Sequence, residues 1–110
     1  MNQCSAERYR RSDRRLNEVY DQISNSLQKD IQSAETQKDE KQIKYNKTRL
    51  EDLRSAQKAW LVYRDLHCSA AKQLYEGGSI VPTIYAGCLE QVTDHRIKEI
   101  EDTYERVIER

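Results

Sequence analysis

The sequence predicts an all-α fold, an antiparallel up-down-up bundle of three long helices with a disulfide staple at one pole. Three observations lead there. Apolar residues recur at steps of three, four and seven along most of the chain, and period-two alternation is absent. The three glycines and the single proline all fall between residues 77 and 87, so the remainder contains no strong breaker. Hydrophobic residues make up 36% and charged residues 35% of the 110 positions, a polar balance that long thin helices tolerate because each buries one stripe. Leu, Ile and Val together number 21 and Phe is absent. That is close to the roughly 20% at which disorder sets in, but a formal net charge of +0 keeps self-repulsion weak.

The first stripe runs Tyr9, Leu16, Tyr20, Ile23, Leu27, Ile31, Ala34 and predicts a helix over about 3–35. TQKDEKQ (36–42) has no apolar residue and reads as the solvated join. The second stripe runs Ile43, Leu50, Leu53, Gln57, Trp60, Leu61, Arg64, Cys68, Ala71, Tyr75, for a helix over about 41–75 that stops at Gly77 and Gly78. The third runs Ile84, Cys88, Val92, Arg96, Ile100, Tyr104, Val107, for a helix over about 83–109, with Pro82 at its start, where a missing N–H costs little. Antiparallel order then places Cys4, Cys68 and Cys88 at the same pole.

Charge and hydropathy exclude several classes. Nineteen basic residues balance nineteen acidic ones, so bulk charge offers no route to nucleic acid or an anionic membrane. Mean hydropathy is -1.02, and no window approaches the ~18 apolar residues of a membrane span. RYRRSDRR (8–15) holds five arginines, but Glu7 stands four before Arg11 and Arg14 four before Glu18. Such pairs absorb part of the charge, and the run reads as a solvated face. Asn46-Lys47-Thr48 matches a glycosylation sequon but lies inside the second helix.

An odd cysteine count puts one sulfur outside any intrachain pair. Cys68 and Cys88 flank the GGSIVPTIYAG loop and are the natural pair; closing about 20 residues would stabilise by ~3 kcal/mol. Cys4 is then left for a disulfide to a second chain. Three reduced buried cysteines, a zinc site using them with His95, and a Cys68–His67 nucleophile remain open readings. The metal reading lacks any CxxC or HxxxH spacing, and adjacent side chains on a helix diverge by about 100°. No metal ligand set is therefore assigned.

Gln57 and Arg64 sit on an apolar stripe beside Trp60, so the arginine needs a partner. Antiparallel order offers Asp13 or Asn17 on the first helix, and a structural network of Asp13, Asn17, Gln57, Trp60 and Arg64 is expected. Arg96 repeats the situation on the third helix. The segment that reads as a contact surface is the loop GGSIVPTIY (77–85), with Gly78, Ser79, Ile80, Val81 and Tyr85 as candidate partner-binding residues. A short loop with apolar and tyrosine tips enters a cleft at low entropic cost. The same side chains also serve to plug the end of a bundle. There is no Gly-rich phosphate loop, nucleophile elbow or acid/base pair, so no catalytic residue and no cofactor is assigned, and the chain reads as a binding protein rather than an enzyme.

MNQC (1–4), LNEVY (16–20), LRSAQKAWLVYRDLHC (53–68), GGSIVPTIYAGC (77–88) and VTDHR (92–96) occur in that order. Together they resemble the LprI-like lysozyme inhibitor N-terminal domain family, small helical domains of the bacterial periplasm or exterior. The resemblance covers nearly the whole chain as a single domain, 1–110, and AQ-x-x-W-x-x-Y-R-D-x-x-C is its most specific part. It implies a periplasmic or secreted, oxidising location, with a signal peptide and a short segment carrying a further cysteine ahead of MNQC. It also implies a protein partner, a lysozyme-type glycoside hydrolase inhibited by occlusion of its cleft. An envelope immunity or scaffold role with another partner is the alternative. Segment 28–49 is longer and more charged than the family pattern, and a lengthened hairpin there is a second candidate surface.

Overall fold

A computed structural model of the protein describes residues 3–75, 77–78 and 81–110. Helix α1 spans Gln3–Thr36, α2 Glu40–Gln73, α3 Val81–Thr103 and α4 Glu105–Ile108, and no strand occurs among the described residues. The long helices run up, down and up, every pair of them in contact, in a rod of 60 × 21 × 17 Å. Most of that length is one 34-residue helix, about 51 Å at 1.5 Å per residue.

Between α1 and α2 the chain reverses through Lys38, in the left-handed region at φ 54°. Asp39 then caps α2, its carboxylate accepting the Gln42 N–H at 3.1 Å. At the opposite pole α2 ends at Gln73, and Gly77, at φ 87°, supplies a backbone turn that a side chain would disfavour. Pro82 is the second residue of α3, within the first turn. Cys68 and Cys88 form a disulfide beside this reversal, with their Cα atoms 5.6 Å apart.

The third helix departs from expectation in two ways. It is not continuous to 109: Tyr104, at φ -107° and ψ 24°, interrupts it and re-aims α4 so that Val107 is buried against the shared core. Its inward face is also rotated from the Ile84–Cys88–Val92 line. Ala86, Leu89 and Thr93 are the buried residues of its first half, and Ile84, Cys88 and Val92 are half-buried at the flank. Small side chains allow close helix approach there, and the disulfide draws Cys88 toward α2. In α2 the stripe gains Asn46 and loses Tyr75 and Leu61, which are exposed.

The core is uneven along the rod. Leu16, Val19, Ile23, Leu27, Leu50, Leu53, Ile100 and Val107 form one apolar cluster away from the disulfide. Each such side chain contributes roughly 1.5–3 kcal/mol by leaving water. Nearer the disulfide the buried set shrinks to Ser5, Ala6, Cys68, Ala86, Leu89 and Thr93. A covalent link thus stands where the buried set is mostly small side chains rather than the large aliphatic cluster.

Candidate protein-binding surface

Between the two ends of the core lies a polar belt. The Arg64 side chain is 8% exposed, its Nη1 3.4 Å from Asp13 Oδ1 and its Nε 3.1 Å from Asp65 Oδ1. Its guanidinium lies 5.2 Å from the Trp60 ring and 5.5 Å from that of Tyr9. Arg96 approaches the same indole at 6.0 Å, donates through Nε to Gln57 Oε1 at 3.0 Å and pairs with Glu99. Asp13, Gln57, Trp60 and Arg64 therefore come together, joined by Tyr9, Asp65 and Arg96, while Asn17 is exposed and outside the cluster. The belt satisfies buried cations with carboxylates, an amide and aromatic faces, which is a structural task. Burial raises the Tyr9 phenol above its ordinary range; the Arg64 charge opposes that shift and Asp13 adds to it.

At the disulfide pole the sequence candidates separate. Gly78 is exposed; Val81 and Tyr85 are half-buried. Lys72 Nζ lies 4.8 Å from the Tyr85 ring centre, so that ring is roofed rather than presented. Ser79 and Ile80 lie outside the described residues. Sequence reasoning missed Leu74, which is 82% exposed, and put its neighbour Tyr75 in the core. The available signal was position: both follow Cys68, the last buried residue of α2, by more than one turn. Lys72, Gln73, Gly77, Gly78 and Val81 line a shallow depression of about 300 Å3 beside them.

A second groove, about 340 Å3, runs between α2 and α3 along Trp60, Tyr63, His67, Cys88, His95 and Arg96. His67 is exposed and stacks on Tyr63 at 5.4 Å, whereas Cys68 is buried, so these neighbours diverge. Disulfide bonding withdraws both sulfurs from thiolate chemistry. No group of three or more His, Cys, Asp or Glu able to hold a metal occurs among the described residues. Cys4 is exposed and outside the disulfide.

The arginine run is paired differently from expectation. Glu7 meets Arg10 and Glu18 meets Arg15, at i,i+3 rather than i,i+4. Arg8 and Arg15 also reach α3 at Glu90 and Glu101, at 3.3 and 3.5 Å. The run therefore bridges helices as well as facing solvent. Asn46 is buried, its Nδ2 donating to the Asp30 carbonyl at 3.3 Å and its Oδ1 accepting from Gln42 at 3.1 Å. Arg110 pairs with Asp30, so the hairpin beyond about residue 31 extends past the end of α4 as a two-helix arm.

No helix among the described residues is long and apolar enough to cross a membrane. The fold defines a class: an all-α, disulfide-stapled bundle of three long helices, with Leu74 and Tyr75 exposed at one tip. The family model described as "Lysozyme inhibitor LprI" matches residues 1–100, and the chain belongs to that family. It is also similar to "Uncharacterized protein R02472" of Rhizobium meliloti (strain 1021), 31% identical over 105 residues covering 96% of this chain and 72% of that protein. No solved structure matches it.

Proposed function

We propose that this protein is a periplasmic or secreted inhibitor of a lysozyme-type cell-wall hydrolase, acting by occlusion of the substrate cleft. Family membership over residues 1–100 carries this reading, and the disulfide fits an oxidising compartment. Lysozyme-type clefts hold two carboxylates that must reach the sugar. A blocker need do no chemistry; it must fill the space between them. The tip at 74–85 suits that task. Leu74 and Tyr75 supply exposed apolar surface, Gly78 allows close backbone approach, and Val81 opens α3 beside them; Ser79 and Ile80 are proposed contacts from the sequence alone, and Tyr85, in α3, lies under Lys72. The Cys68–Cys88 link pre-organises both stems, which lowers the entropy lost on docking. A net charge of +0 gives no long-range steering, so affinity must come from shape.

Lysis of peptidoglycan by several lysozyme types, with and without the protein, tests the reading. At least one type is expected to be inhibited, with Leu74→Glu abolishing inhibition while helicity is unchanged. Undiminished lysis of every type would favour the envelope scaffold role. Full inhibition by Leu74→Glu would move the contact away from the tip.

A further inference from the structure

Helix α2 carries a second apolar face that none of the described residues covers. Val62, Tyr63 and Leu66 are 60%, 56% and 67% exposed, and Ala56, Ala59 and Ala70 are exposed beside them. At about 100° per residue these six positions share one side of the helix, opposite the buried Leu53, Gln57, Arg64 and Cys68. They extend for about 21 Å along the helix, at 1.5 Å per residue. In a chain this polar, that is a concentrated patch.

One edge of the patch carries Glu51, Lys58, Asp65 and Lys72, seven residues apart and alternating in sign. Glu51 and Lys58 make no ion pair with any described residue, while Asp65 is held by Arg64 and Lys72 lies over Tyr85. Two helices related by an antiparallel two-fold bring this edge against itself with its direction reversed. Lys58 then faces Asp65 of the second copy, and Glu51 faces its Lys72. The two-fold doubles both contacts. A shift of one heptad sets Lys58 against Lys72 and Asp65 against Asp65, which like-charge repulsion disfavours. The alanines let the helix axes approach, and Val62, Tyr63 and Leu66 interdigitate across the axis.

From this apolar face and its self-complementary edge we infer that the protein forms an antiparallel homodimer through the outer face of α2, with Lys58 and Asp65 fixing the register. This interface is separate from any Cys4 disulfide; it shares Lys72 with the depression at the tip, but its apolar contacts end at Ala70, one turn short of Leu74. It goes beyond the inhibitor reading and does not depend on it.

Sedimentation equilibrium on a Cys4→Ser background tests it. The Cys4→Ser protein is expected to be a reversible dimer. Leu66→Glu is expected to be monomeric, with the same helical circular dichroism. Lys58→Glu creates two like-charge contacts and is expected to raise the dissociation constant more than tenfold; adding Asp65→Lys restores it. A Cys4→Ser protein that stays monomeric to millimolar concentration overturns the proposal, as does a dimer that survives Leu66→Glu. Dimerisation indifferent to Lys58→Glu overturns the assigned register. Leu74→Glu leaves the dimer intact, so the two surfaces are read independently.

Discussion

Replacing Cys68 and Cys88 together by alanine is expected to cost about 3 kcal/mol of folding stability. The bond joins residues 20 apart in sequence. In chain-entropy terms, closing a loop of that length removes about 11 cal/mol/K from the unfolded ensemble, or about 3 kcal/mol at 25 °C. Cys68 is fully buried, so truncation also loses a little sulfur packing. Set against the roughly 5–15 kcal/mol typical of a domain, this is a substantial share. At about 4–8 °C per kcal/mol, the melting temperature falls by about 15 °C. Urea denaturation followed by circular dichroism measures the loss. Hydrogen exchange locates it, because the apolar cluster from Leu16 to Val107 lies away from the disulfide. Amides of α2 and α3 near residues 64–74 and 84–93 should lose protection first. A loss below about 1 kcal/mol, or uniform loss of protection along the rod, would refute the idea that the bond compensates for the smaller buried side chains at the pole.

Further changes test the interior. Thr93 is 0% exposed and its Oγ1 has no hydrogen-bond partner among the described residues, so Thr93→Val is expected to stabilise the fold by about 1 kcal/mol in the same urea titration. Arg64→Ala is expected to cost about 2–3 kcal/mol, because it removes stem packing on Trp60 and Tyr9 together with two charged hydrogen bonds. Asp13→Asn should cost less than about 1 kcal/mol, since its side chain is 39% exposed and the solvent screens the pair. Tyr9, raised chiefly by burial, should ionise later than an exposed tyrosine in an ultraviolet pH titration, and Tyr9→Phe should abolish that lag. Its folded-state pKa exceeds the unfolded value near 10, so its contribution to stability is complete below that pH and is lost as pH rises through the folded pKa.

Helices α1 and α2 were legible because long stretches without Gly or Pro carry a single clear stripe, and their observed bounds lie within two residues of those expected. Antiparallel order narrowed the partner of Arg64 to Asp13 or Asn17, because that part of an ascending helix passes residue 64 on a descending one; the structure pairs it with Asp13. Helix α3 was harder. Hydropathy favours Ile84, Cys88 and Val92 as the inward line, but three-way packing selects the smaller Ala86 and Thr93, with Leu89 between them. Periodicity alone could not separate two faces about 130° apart, each bearing apolar residues. The interruption at Tyr104 has no sequence breaker to announce it, and beyond it Val107 and Ile108 pack against the core. At the tip, chemistry pointed to the loop, whereas exposure depends on which helix ends first, and that brought Leu74 forward. Ion-pair partners on α1 slipped by one position because i,i+3 and i,i+4 neighbours are nearly equidistant on a helix.

Steady-state kinetics of a susceptible lysozyme on a soluble chitooligosaccharide, at increasing concentrations of this protein, bears most directly on the proposed mode of action. Occlusion of the cleft by the tip gives competitive inhibition: apparent KM rises in proportion to the protein while kcat is unchanged, and Leu74→Glu removes the effect. A fall in kcat at constant KM would place the contact outside the cleft and contradict it.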